Sequence, residues 1–140
     1  MSFENLAKFD FDVWHMSLRF YSIRPEKCLI GDFFEPYSEG EPLLRKWLLI
    51  LIGRMWDGYP AAVEHANRGN YIQNILDFVK EDEDPEVRAA AIYAMGTYMG
   101  CPIVDSINNR NKLYIIASEI AKVTDDACWL VRKEIVYRNG

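Results

Sequence analysis

The stretch Asp84-Pro85-Glu86-Val87-Arg88-Ala89-Ala90 has a counterpart 43 residues earlier, Glu41-Pro42-Leu43-Leu44-Arg45-Lys46-Trp47. A weaker third copy covers residues 126–134 at a shift of 44 residues. In the second copy, Asp84 suits the N-cap of a helix, and Pro85 suits the first helical position, where no backbone N–H is needed. The first two copies therefore predict helices that begin at their prolines.

The helices that follow these starts carry the same apolar face. Apolar residues recur at positions i, i+3, i+4 and i+7, which is the pattern of one buried side of a helix. Each member of the first face lies 43 residues before its counterpart in the second, so both helices are predicted to fill the same packing role, with Trp47 in the core. The two faces are Leu44, Trp47, Leu48, Leu51, Ile52 and Met55, and Val87, Ala90, Ala91, Ala94, Met95 and Tyr98.

A further apolar segment precedes each copy, at residues 28–34, 71–79 and 113–123. Periods of about 40 to 47 residues are typical of HEAT and armadillo repeats, whose helix pairs bury their apolar faces only when stacked. We therefore predict an all-α, right-handed HEAT/armadillo-type α-solenoid of about three helix-pair repeats. In the last of the preceding segments we expect a broad buried face made of Tyr114, Ile116, Ala117, Ile120, Ala121 and Val123.

The repeats also predict the domain organisation. The whole chain is interpreted as one repeat domain, and we expect its last helix to be short. Its parts are an N-terminal capping segment (1–24), a first repeat (25–58), a second repeat (68–100) and a truncated third repeat (111–140).

Composition and charge exclude several classes of protein. The net charge is −5, whereas a general nucleic-acid binder needs a basic face. The three cysteines are far apart and lack a CxxC spacing, which indicates neither a disulfide framework nor a zinc site and favours a reduced, cytoplasmic setting. No stretch approaches the roughly 18 apolar residues of a membrane span.

Candidate catalytic and cofactor-binding motifs are also missing from the sequence. His15 and His65 are the two histidines, and neither has a metal-ligand spacing or a partner for nucleophilic catalysis. No Gly-rich phosphate loop is present. We therefore expect no catalytic residue, metal or cofactor. A DNA glycosylase built from HEAT-like repeats would need a basic concave face, which the acidic balance disfavours.

Three runs of residues resemble consecutive repeats of the Raptor (Kog/Mip) family, the scaffold subunits of TOR complex 1. The resemblance covers roughly residues 28–136. The runs are Pro42–Trp47 with Gly53-Arg54-Met55-Trp56, Pro85–Ala91 with Ala94–Tyr98, and Leu130–Val136.

The resemblance implies a non-catalytic, protein-binding scaffold in the cytoplasm. Members of the family tether substrates to the TOR kinase, contact its helical repeats and, in many lineages, dock Rag-type small GTPases, which implies recruitment to a lysosomal or vacuolar surface. The family's caspase-like domain and β-propeller have no counterpart in these 140 residues. The chain is therefore interpreted either as a fragment of a split gene or as a reduced relative of the family. The alternative function is a generic HEAT-repeat adaptor, such as a phosphatase scaffold or a transport receptor.

Two sets of site residues follow. One position of the repeat is always an arginine, at Arg45, Arg88 and Arg132, and these resemble a ladder bonded to acidic residues of neighbouring turns. The alternative is that each is simply an exposed basic residue at the start of a helix. Asp84 and Trp47 are further structural positions of the repeat. The acidic run 81–84 is interpreted as a solvated turn, or else as a surface for a basic partner. The protein-binding candidates lie in the loops that follow the second helix of each pair, on one ridge of the stack, and we call them the ridge loops. In the family such loops resemble the place where a small GTPase docks; the alternative is that they only connect the repeats. The candidate residues are Asp57, Gly58, Tyr59, Pro60, Gly100, Cys101 and Pro102.

Overall fold

The computed structural model describes residues 16, 34, 37–57, 63–64, 71–101 and 110–122. Within these ranges the chain forms helices and no strand, which confirms the all-α prediction for them; the repeat type and the right-handed sense stay predictions. The capping segment apart from Met16, the apolar segment 28–34 apart from Phe34, and the helix predicted from Cys128 onward lie outside the described residues. The helices are α1 (Pro42–Trp56), α2 (Tyr71–Glu81), α3 (Pro85–Met99) and α4 (Arg110–Ala121).

The helix starts lie where local chemistry predicts them. Both α1 and α3 have proline in their first turn. Asp84 is the N-cap of α3, and its carboxylate accepts hydrogen bonds from the backbone N–H groups of Glu86, at 2.8 Å, and Val87, at 3.3 Å. Glu41 is the N-cap of α1 but makes no side-chain capping bond, and glutamate is not among the residues that cap well. The start of α1 therefore depends on its proline and on tertiary packing.

The helices are arranged in two layers. Lys46 near the start of α1 pairs with Glu86 at the start of α3, and Trp56 at the end of α1 packs on Tyr98 near the end of α3, so these two helices run in the same direction. An ion pair between Lys80 and Glu119 joins the last turns of α2 and α4. A three-residue connection links α2 to α3, which makes them a helix pair. Helices at equivalent positions of the predicted repeats therefore lie next to each other, which is compatible with a stacked array.

The core lies mainly between α1, α2 and α3. All six residues of the apolar face predicted for α3 are buried, and so are five of the six predicted for α1. Phe34 extends the core beyond α2, because its ring lies 5.7 Å from that of Tyr71 and 6.0 Å from that of Phe78. Met16, from the predicted capping segment, is fully buried as well. The 3.6-residue periodicity thus identified the core side of both repeat helices.

Two details of the predicted core are wrong. Trp47 is only partly buried and packs at the margin of the core, whereas Trp56, the last residue of α1, is 1% exposed. The broad face predicted for α4 is also too wide, because Ile116 and Ile120 are buried but Tyr114, Ala117 and Ala121 are exposed. In both cases periodicity locates the apolar side of a helix but does not show how far a neighbour covers it.

Gly53 is required where α1 crosses α3. A Cβ atom at this position would lie 2.9 Å from Cδ1 of Tyr93 and closer still to Cε1. We expect Gly53→Ala to lower the free energy of unfolding by about 1 to 2 kcal/mol, since the overpacking cost exceeds the gain in helix propensity. Gly100→Ala is the matched control: its Cβ would come no nearer than 3.4 Å to other atoms, so a urea melt of this variant should stay close to that of the unchanged chain.

Candidate protein-binding site

A partly buried ion pair joins the two repeats at the start of α1. The guanidinium of Arg45 donates through Nε to Oδ2 of Asp82 at 2.9 Å and through Nη2 to Oδ1 at 3.1 Å. Its Nη1 donates to the carbonyl oxygen of Gly40 at 2.6 Å. The two side chains are 14% and 6% exposed. This two-pronged pair fixes α1 to the turn between α2 and α3, which is 37 residues away in sequence.

The acidic run 81–84 is therefore more than a solvated turn. Asp82 also accepts the backbone N–H of Asp84 at 2.9 Å, and its own carbonyl oxygen accepts a hydrogen bond from Nη1 of Arg88 at 2.8 Å. Asp84 in turn caps α3. The two aspartates have structural partners, while Glu81 and Glu83 are exposed. Of the four acidic residues in the run, only these two glutamates are exposed enough to contact a basic surface of a partner.

Of the three arginines of the predicted ladder, Arg45 makes the expected bond to an acidic side chain, whereas the bond that Arg88 makes among the described residues is to a backbone carbonyl. The acceptor of Arg45 belongs to the following pair, and that of Arg88 to the turn of its own pair. Arg132 lies outside the described residues, so the three-step ladder stays a prediction. What the structure adds is the identity of the acceptor, Asp82, which the sequence did not distinguish among four neighbouring acidic residues.

The ridge of the stack is formed by the C-terminal ends of α1 and α3. The rings of Trp56 and Tyr98 lie 5.5 Å apart, which brings the exposed C-cap residues Asp57 and Gly100 to the same edge. Cys101, by contrast, is 7% exposed and belongs to the core, which argues against it as a contact residue. The other ridge-loop candidates, Gly58, Tyr59, Pro60 and Pro102, lie outside the described residues.

Glu119 forms the polar junction between α2 and α4. Lys122 approaches its Oε1 to 3.1 Å and Lys80 its Oε2 to 3.5 Å. The hydrogen bond from Lys122 is the main cause that lowers the pKa of Glu119, with the charges of both lysines adding to it and partial burial opposing it.

A lowered pKa makes this junction sensitive to acid. Because the folded-state pKa of Glu119 lies below its unfolded value, the pair stabilises the fold above the unfolded pKa, and this contribution is lost as the pH falls through the folded one. We expect an NMR titration of the Glu119 carboxyl to show protonation at a lower pH than an ordinary glutamate. In Lys122→Met the pKa should move back up; an unchanged value would show that Lys122 is not its main cause.

The described residues contain no group of three or more His, Cys, Asp or Glu side chains that could hold a metal ion. A shallow depression on the outer side of α2 is lined by Asn74, Asp77, Phe78, Glu81 and Asp82. Asp77 there accepts a hydrogen bond from Gln73, and Asp82 is held by Arg45. No helix in the described ranges is long and apolar enough to cross a membrane.

The described residues form helices only, in an arrangement that is compatible with an α-solenoid. No protein-family model matches the chain. Among curated proteins, it is 27% identical to "Regulatory-associated protein of TOR 2" of Oryza sativa over 108 residues, which make up 70% of this chain and 8% of the rice protein. It is 31% identical to "Target of rapamycin complex 1 subunit mip1" of Schizosaccharomyces pombe over 96 residues, 69% of this chain and 7% of that protein.

A third relative, "Protein raptor homolog" of Dictyostelium discoideum, is 29% identical over 77 residues, 52% of this chain and 5% of that protein. These relatives come from a plant, a fungus and an amoeba and carry consistent names. The chain belongs to the Raptor family, as the three repeat motifs predicted. It spans only 5% to 8% of the length of these relatives.

Proposed function

We propose that this chain is a non-catalytic scaffold that binds a TOR kinase as part of a complex of the TOR complex 1 type. The similarity to Raptor-family proteins carries the proposal, because the names of those relatives describe a regulatory partner of TOR and a subunit of its complex 1. The stacked helices support it physically, since an array of this kind offers an extended surface to another protein. By the same resemblance we place its action in the cytoplasm.

The inter-repeat junction explains how such a scaffold could keep its shape. Arg45 and Asp82 join successive pairs through a largely buried, two-pronged bond, and Lys46 with Glu86 adds an exposed one. A partner that contacts several repeats at once needs their relative positions fixed before binding, because ordering them on binding would cost affinity. The ion pairs serve this preorganisation and not a chemical step.

The test is a pull-down of the cognate TOR kinase with the purified 140-residue chain. We expect the unchanged chain to retain the kinase, and Arg88→Glu to retain less, because the reversed charge cannot donate to the carbonyl oxygen of Asp82 and would disturb the stack. Arg54→Glu, a charge reversal at an exposed position of α1 outside the junction, is the control for charge alone. Failure to retain the kinase, with a phosphatase subunit or a transport cargo bound instead, would favour the generic adaptor.

Docking of Rag-type small GTPases stays a prediction for the ridge loops. Asp57 and Gly100 share one edge, but the rest of the loops beside them lies outside the described residues apart from the buried Cys101. Binding of TOR spread over several repeats should survive a substitution in a single ridge loop such as Tyr59→Ala. Loss of GTPase binding in the same variant, with the kinase retained, would assign the ridge to the GTPase.

A further inference from the structure

We draw no further inference here: the strongest candidate, the shallow depression on the outer side of α2 lined by Asn74, Asp77, Phe78, Glu81 and Asp82, offers a partner little more than a cluster of acidic side chains, of which Asp82 is already held by Arg45, and nothing in the structure shows what covers it.

Discussion

Replacing Asp82 with alanine should lower the free energy of unfolding by about 3 kcal/mol. The substitution leaves the guanidinium of Arg45 without its two-pronged partner in a site where the arginine side chain is only 14% exposed. Breaking a buried pair by removing one member costs more than the pair contributes, because the remaining charge is desolvated and unpaired. The backbone N–H of Asp84 loses its acceptor as well. Urea unfolding followed by far-UV circular dichroism measures the loss.

The exposed pair between Lys46 and Glu86 is the internal control. Its atoms are 3.3 Å apart, but the side chains are 30% and 55% exposed, and pairs of this kind contribute between nothing and about 1 kcal/mol. Glu86→Gln keeps the size of the side chain and should cost no more than this. If Asp82→Ala proves no more destabilising than Glu86→Gln, the junction does not hold the repeats together, and the preorganised scaffold loses its main support.

The sequence predicted the helices well because their signals are local. A capping aspartate and a proline in the first turn define the start of α3 whatever packs against it, and α1 has an equivalent proline but lacks the side-chain cap, so its start depends on packing as well. The 43-residue shift then transferred the buried face of one helix to the other. The prediction was less accurate for α4, which begins at Arg110, three residues before the apolar segment that starts at Leu113, because apolar periodicity marks only the part of a helix that carries apolar residues.

The partners of the site residues were harder to predict, since they depend on distant parts of the chain. Any of the four acidic residues 81–84 could accept a bond from Arg45 as far as spacing shows, and only the packing of α1 on α3 selects Asp82. The exposure of Tyr114 on α4 was missed for the same reason. Apolar periodicity does not distinguish a helix face that a neighbour covers from one that is exposed to solvent. The sequence pattern around Tyr114 is therefore the same whether its side chain is exposed or buried.

Trp56→Ala should be the most damaging single substitution in the core, with a loss of about 3 to 5 kcal/mol. Trp56 is 1% exposed, and its ring packs 5.5 Å from that of Tyr98 where the ends of α1 and α3 meet. Removing it leaves a cavity beneath the ridge that carries Asp57 and Gly100. Urea unfolding followed by circular dichroism is the appropriate measurement, because tryptophan fluorescence would change with the substitution itself.

Two further substitutions test the physical reason for this loss. Trp47→Ala should cost only about 1 to 2 kcal/mol, because this indole is partly buried at the margin of the core and loses fewer contacts. Trp56→Phe should cost less than about 1.5 kcal/mol: it gives up part of the ring but also removes an indole N–H that is buried without a hydrogen-bond partner among the described residues. Equal losses for Trp47→Ala and Trp56→Ala would contradict the burial of the two indoles. If Trp56→Phe lowers the free energy of unfolding as much as Trp56→Ala does, the indole N–H has a hydrogen-bond partner in solution. That hydrogen bond, more than the packing of the ring, would then hold the ends of α1 and α3 together.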